Sequence, residues 1–291
     1  MEFPAEFCRR MERLLMGSYP DFLNAYNRSA GRGLRVNTLK CPTEDFQRLF
    51  PLPLVPSPFS SMGFVVDQPL KAGADPLHHA GAYYMQEPSA MSAVTVLDPR
   101  PGERILDLCA APGGKTTQIA SLLGGNGLIW ANEYVRSRAQ ILLQNLERCG
   151  VRNSVVSNAE PALLAAGLPG WFDGVLVDAP CSGLGVIRKK PDIRYKDPEP
   201  VRDLPQVQRA ILDNAARYVK PGGVLVYSTC TLLRRENEEV ALGFLADHPQ
   251  FKAEGFPLPE YVGDARTGML TLWPHRQGTD GFFICKLRKE E

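Results

Sequence analysis

Two cysteines, Cys181 in VDAPCSGLG and Cys230 in VYSTCTLLRRENEE, are the residues of this sequence best equipped for chemistry. Each stands just past a hydrophobic run, GVLVD (Gly174 to Asp178) and GVLVYS (Gly223 to Ser228). Continuous Val/Leu runs read as strands buried on both faces of a parallel sheet, whose ligands bind beyond the carboxyl ends. Two such strands in one sheet deliver both thiols to the same crevice. A thiolate is a good nucleophile toward an electron-poor ring carbon, and two thiols in one cleft imply covalent catalysis with assistance. Either cysteine alone reads equally well as a small core residue. The matched setting of the pair argues otherwise.

A glycine turn, DLCAAPGGKT, points to a cofactor. Gly114-Lys115-Thr116 imitates the tail of a phosphate loop, and Asp178 imitates the acidic strand of an ATPase. A phosphate loop needs a further Gly five positions before its second one, and Cys109 stands there. The dinucleotide pattern G-x-G-x-x-G also fails, because Gly113 and Gly114 are adjacent. What remains is a tight turn at a helix start that lets an uncharged or zwitterionic ligand approach the backbone. Glu133 ends the next strand, where a ribose-binding carboxylate belongs, about 20 residues on. A nucleoside without triphosphate on such a sheet fits S-adenosylmethionine.

The elements that must position these residues change character near residue 75. Before it, residues 4 to 26 read as two short helices, GLRVNTLK as a strand, TEDFQRLF as a helix capped by Thr43, and GFVVD as a strand. This is a small α+β module, residues 1–75. From 76 to 291 strand and helix alternate: ERILDLC, TTQIASLLG, GLIWANE, RSRAQILLQNLERCG, NSVVSN, FDGVLVD, VQRAILDNAARYV, PGGVLVYSTC, ENEEVALGFLADH, then strands near LTLWP and GFFICKLR. That alternation predicts a doubly wound α/β sheet.

Composition narrows the class. A net charge of +1 over 291 residues announces no global attraction to nucleic acid, so any basic surface is local. Seven cysteines, an odd number without paired spacing, argue against a disulfide framework and fit a reducing cytosol. There is no Cys-x-x-Cys, and His78-His79 have no nearby Cys, which argues against zinc. Neither a signal peptide nor a membrane span is expected. Cys8, Cys41, Cys149 and Cys285 read as structural or incidental.

The strings DLCAAPGGKTTQ, DAPCSGLG and YSTCTLLRRENE resemble the signatures of the Sun/Fmu-type RNA (cytosine-5) methyltransferases. RVNTLK, YYMQEPSAM and DGFF fit the same pattern, so the resemblance runs from about residue 33 to residue 284. It implies a class I S-adenosylmethionine-dependent methyltransferase, a monomer of the cytoplasm without metal or membrane. Its substrate would be RNA, ribosomal before transfer. The resemblance makes Cys230 the nucleophile, gives Cys181 a part in product release, and sets Asp178 against the target cytosine. It lines the cofactor pocket with Cys109, Ala110, Ala111, Pro112, Gly113, Gly114, Lys115, Glu133, Asn158 and Asp178. Asn158 departs from the family's usual Asp. It keeps a carbonyl acceptor for the adenine amino group but loses the charge, which bears on affinity rather than activity. The sequence also reads as a short form without an appended RNA-binding domain. Selection is then expected from the core, the N-terminal module or an assembled RNA particle.

The chemistry accounts for these residue types. Cytosine carbon 5 is a poor nucleophile until a thiolate adds at carbon 6 and makes it enamine-like. A carboxyl group at ring nitrogen 3 stabilises the charge that builds there, a role suited to a buried Asp178 with a raised pKa. A free thiol titrates near ~8.5, so Cys230 is expected in a positive or helix-terminal environment. Arg188, Lys189, Lys190, Arg194 and Lys196, with Tyr195 among them, follow the Pro-Cys loop. Arg28, Arg32, Arg35 and Lys40 lie in and before the RVNTLK strand. Both groups read as phosphate contacts, with a solvated loop as the plain alternative. Tyr83, Tyr84 and Gln86 fit either the cleft or the domain junction. Two other classes stay open: a phosphate-loop ATPase, and an RNA-binding scaffold without activity. A DNA enzyme would carry a Glu-Asn-Val motif, which is absent.

Overall fold

The computed structural model describes residues 3, 5–27, 32–164, 167–190, 192–193 and 202–291. Near the N-terminus, β1 (Arg32–Val36), β2 (Val55–Pro56), β3 (Gly63–Val66) and β4 (Tyr83–Met85) form an antiparallel sheet ordered β2-β3-β1-β4. Its own small core gathers Leu34, Val36, Phe64, Val66 and Tyr83 with Phe46 and Phe50 of the helix Thr43–Leu49 and its C-terminal end. That helix is not capped by Thr43. Pro42 occupies the cap position, and no side chain caps it. The helix Ala5–Leu15 buries Phe7, Met11 and Leu15 at helical spacing. With Phe22 it packs on Ile187, Ile193, Leu232 and Leu233, beside the two Cys-bearing loops rather than on the small sheet.

The larger sheet holds β5 (Arg104–Asp107), β6 (Leu128–Asn132), β7 (Ser154–Ser157), β8 (Phe172–Asp178), β9 (Val219–Thr229), β10 (Phe251–Ala253), β11 (Met269–Leu272) and β12 (Phe282–Lys289). The order is β10-β12-β9-β8-β5-β6-β7, with β11 also on β12. Strands β7 through β9 are mutually parallel, whereas β12 runs antiparallel to β9. Alternate residues serve opposite faces, as the period of two requires. Ile105, Leu176, Val226 and Ile284 enter one core; Leu106, Val175, Val177, Leu225 and Phe283 enter the other. The helices Pro88–Leu97 and Gly114–Leu123 cover the first face, Leu204–Tyr218 and Glu238–Asp247 the second. This is the doubly wound sheet expected from the alternation. Strand β10 of this sheet, strand β4 of the small sheet and the helix Pro88–Leu97 were not among the expected elements. Among the described residues no helix is long and apolar enough to cross a membrane, and no group of three His, Cys, Asp or Glu could hold a metal ion.

Candidate active site

From β5 the chain steps outward to β6 and β7, then returns to β8 on the other side of β5. Such a reversal leaves a crevice at the carboxyl ends of the strands. The turn from Cys109 to Lys115 opens there, held to β6 by the Ala110 amide donating to the Asn132 carbonyl at 2.8 Å. Gly113 sits at φ 107°. A Cβ on it would be strained by that φ and would lie 3.2 Å from Leu142 Cδ1.

Asp107, the last residue of β5, is fully buried. Its Oδ2 accepts from the Thr116 hydroxyl at 2.7 Å, and its Oδ1 has no partner among the described residues. Burial pushes this carboxyl up to about 7, against the opposing pull of the Thr116 hydrogen bond. Glu133 is buried just past β6; its Oε1 accepts from the Val135 amide at 2.9 Å and its Oε2 lies 3.2 Å from Arg138 Nη1. Arg138 also donates to the Ala111 carbonyl at 2.9 Å, so it ties Glu133 to the turn. Asn158 lies exposed, its Nδ2 donating to the Glu133 and Tyr134 carbonyls, both at 2.7 Å. Buried Asn132 gathers the strand ends: it donates to the Leu108 and Ala159 carbonyls and accepts from the Ser157 hydroxyl. These features fit S-adenosylmethionine. The orphaned buried acceptor suits an ammonium donor, the turn admits a ligand to the backbone, and Glu133 supplies a carboxylate for vicinal hydroxyls. Asp107, Asn132 and Arg138 were not singled out from sequence. The aspartate ending ILD before the glycine turn was the signal available for the first.

Strand register brings the catalytic candidates together. Asp178 lies opposite Ser228, and Cys181 and Cys230 follow on the two adjoining loops. The two Sγ atoms are 3.2 Å apart. The hydrogen bond from Cys181 holds the Cys230 thiol below its usual range, with Lys115 and Lys190 helping against burial and Asp178. The same contact, then burial, push Cys181 well up. The contact therefore favours the proton on Cys181 and eases ionisation of Cys230. The contact with Cys181, rather than the positive environment expected for Cys230, is the chief cause of the lowering. Asp178 departs from expectation: its side chain is about a third exposed rather than buried, it pairs with Lys115 Nζ at 2.7 Å and it accepts from the Ser228 hydroxyl at 2.9 Å. Lys115 Nζ also lies 5.3 Å from the centre of the Phe282 ring, which is how the DGFF segment enters the site. Cys109 stands at the turn with its thiol pushed up by burial.

Several basic residues do other work. Arg35 is fully buried and donates to Gln86 Oε1 at 2.9 Å, the Gly114 carbonyl at 3.0 Å and Thr117 Oγ1 at 2.6 Å. It is a strut between the small sheet and the cofactor helix, not a phosphate contact. Arg188 pairs with buried Asp280 at 3.0 Å, and Lys189 pairs with Glu87 and Asp280. Both lock the Pro-Cys loop to the DGFF segment. Lys190, Arg32 and Lys40 are exposed. Arg28, Arg194, Tyr195 and Lys196 lie outside the described residues. Tyr84 and Gln86 fill the domain junction: the Tyr84 ring stacks near Arg35 and Arg148, and Gln86 bridges Arg35 and Gln118.

Comparison with known proteins agrees with this geometry. A family model described as 16S rRNA methyltransferase RsmB/F matches residues 94–288, and one for the N-terminal domain of 16S rRNA methyltransferase RsmF matches residues 3–88. Ribosomal RNA small subunit methyltransferase F of Salmonella agona (strain SL483) is 39% identical over 304 aligned residues, 99% of this chain and 63% of that protein. The chain thus spans somewhat less than two thirds of the curated relatives it matches. The crystal structure of PH0851 superposes with a TM-score of 0.91 at 33% identity, covering 99% of this chain and 66% of that one. A methyltransferase homolog protein from Pyrococcus horikoshii gives a TM-score of 0.83 at 30% identity, covering 99% and 95%. The fold is that of the class I S-adenosylmethionine-dependent methyltransferases, and S-adenosylmethionine is the cofactor this implies. With its glycine turn, its thiol pair and both halves matched in order, the chain belongs to the RsmB/F family of 16S rRNA methyltransferases.

Proposed function

We propose that this protein methylates carbon 5 of a cytosine in RNA, in small-subunit ribosomal RNA, through a covalent adduct on Cys230. One observation carries the reading: two cysteine sulfurs 3.2 Å apart, on the loops that follow the paired strand ends Asp178 and Ser228. The family and the name of the Salmonella relative support ribosomal RNA as the substrate. S-adenosylmethionine, when bound, supplies an electrophilic methyl group. Cys230 Sγ adds to carbon 6, which makes carbon 5 nucleophilic toward that methyl. As negative charge builds on ring N3, N3 takes a proton shared with the Asp178 carboxyl, which Lys115 and Ser228 steady and which accepts from the exocyclic amino group; the proton returns on elimination. A water then takes the carbon-5 proton, the electron pair re-forms the ring double bond, and the carbon–sulfur bond breaks. Cys181 S–H donates to the departing thiolate, as it does to Cys230 in the resting site. The exposed Lys190, Arg32 and Lys40 are assigned to RNA phosphates, and the N-terminal module, residues 1–75, to RNA contact.

A denaturing gel with RNA containing the target cytosine tests this. Cys230→Ala should form no adduct and transfer no methyl. Cys181→Ala should still attack and methylate, then accumulate an adduct that disappears in the double variant. An adduct with Cys230→Ala but none with Cys181→Ala reverses the assignment.

A further inference from the structure

Behind the thiols lies a buried polar network that the steps above leave unused. Glu236, in the helical turn Arg234–Glu236 after the Thr-Cys loop, is fully buried. Its Oε2 accepts from the Ser182 amide at 2.8 Å and from Gln208 Nε2 at 3.1 Å. The same Gln208 nitrogen donates to the Pro180 carbonyl at 2.9 Å. The residues on either side of Cys181 are thus both clamped through Glu236 and Gln208. Ser182 and Thr231, each one residue past a thiol, join hydroxyls at 2.7 Å. Asn237 accepts from the Thr229 hydroxyl at 2.5 Å and donates to the Thr231 carbonyl at 3.1 Å, and the Tyr227 hydroxyl donates to the Glu236 carbonyl at 2.5 Å.

Oε1 of Glu236 has no hydrogen-bond partner among the described residues. A buried carboxylate with one unpaired oxygen costs stability, and hydrogen bonding alone does not explain why this site carries a charge. The charges around the thiol pair are unevenly arranged. Glu236 is the anion beside Cys181, whereas Lys115 and Lys190 are the cations beside Cys230, with Asp178 opposing them. Asp178 on the Cys230 side is offset by the two cations there, so the charge of Glu236 draws the shared proton toward Cys181.

We propose that Glu236 is a positioning residue that keeps the shared thiol proton on Cys181 and so leaves Cys230 as the attacking thiolate. The proposal rests on the covalent reading above and deepens it: the two chemically identical thiols acquire different roles from a residue that touches neither substrate nor cofactor.

Glu236→Gln retains an acceptor for the Ser182 amide and removes the charge. Alkylation with iodoacetamide, in which a thiolate displaces iodide, reads the thiolate directly when labelled sites are resolved by mass spectrometry. The wild type without RNA should label Cys230 well ahead of Cys181 from about pH 6 to 8. Glu236→Gln should lower that preference roughly tenfold, the effect of one pKa unit. Lys190→Gln removes an exposed cation from the other side and should lower it in the same direction, by roughly threefold. An unchanged ratio in Glu236→Gln overturns the proposal, as does an unchanged ratio in Lys190→Gln should the buried variant fail to fold. Labelling of Cys181 first in the wild type overturns it too. Because labelling needs neither RNA nor cofactor, its outcome is separate from failure of the methyltransferase reading, which would appear as no Cys230-dependent RNA adduct.

Discussion

Asp107 is a carboxyl group whose ionisation is opposed by its surroundings. Burial raises its carboxyl from 3.8 to about 7, so the native state binds this proton more tightly than the unfolded chain. Stability from this group is full below the unfolded value and is lost as pH rises through the native one. Urea unfolding of the wild type should therefore lose stability between roughly pH 4 and 8, by up to roughly 4 kcal/mol, relative to Asp107→Asn, which cannot titrate. A difference between the two proteins that does not vary with pH would sink the assignment. Lys115 shows how a residue's role escapes its motif. Gly114-Lys115-Thr116 has the spelling of a phosphate-loop end, yet Lys115 turns onto Asp178 and a Phe282 ring face. Asn158 is similar: an Asp there could not donate to the Glu133 and Tyr134 carbonyls, so the departure from the family pattern is built into this loop.

At the scale of elements, the site is a junction of three loops, and Gly185 is its pivot. Its amide donates to the Cys230 carbonyl at 3.0 Å, and its own carbonyl accepts from the Gly281 amide at 3.0 Å. A Cβ at this position would lie 2.3 Å from the Gly281 oxygen and 2.7 Å from the Cys230 oxygen, both backbone. Gly185→Ala must push the Pro-Cys, Thr-Cys and DGFF loops apart. The rate of RNA adduct formation should fall roughly a hundredfold, the usual cost of a misplacement near 1 Å. Calorimetry should find S-adenosylmethionine still bound, since the glycine turn lies on another strand. A wild-type adduct rate would show that the loops do not need this approach. The helix Pro88–Leu97 illustrates a different limit. It is buried almost all round, between the sheet and the N-terminal module, and even Ser89 and Ser92 are fully buried, so polarity does not mark an outer face.

At the scale of the molecule, Arg35 makes the N-terminal sheet part of the cofactor site. Its guanidinium crosses from β1 to the start of the helix Gly114–Leu123, and burial pushes it down to about 10. Arg35→Met would leave Gln86 Oε1 without its donor in the interior. We expect a loss of about 3 kcal/mol in urea unfolding and a weaker grip on S-adenosylmethionine by calorimetry. Loss of stability without loss of cofactor affinity would mean that the two halves are joined only mechanically.

Much of this protein is legible in sequence because it is local. The alternation of Val/Leu runs with helical periods, the glycine turn, Glu133 at a strand end and two Cys past matched strands depend on residues a few positions apart. They yielded the doubly wound sheet and the thiol pair. Charge placement was not legible. Arg35, Arg188 and Lys190 look alike along the chain, but only folding decides that the first meets Gln86, the second Asp280 and the third the neighbourhood of Cys230. Nor does either Cys motif say which sulfur keeps the proton. That depends on a 3.2 Å contact and on the charges packed behind it. Electrostatic energies vary with separation and burial between residues far apart in sequence, and those are set by tertiary packing.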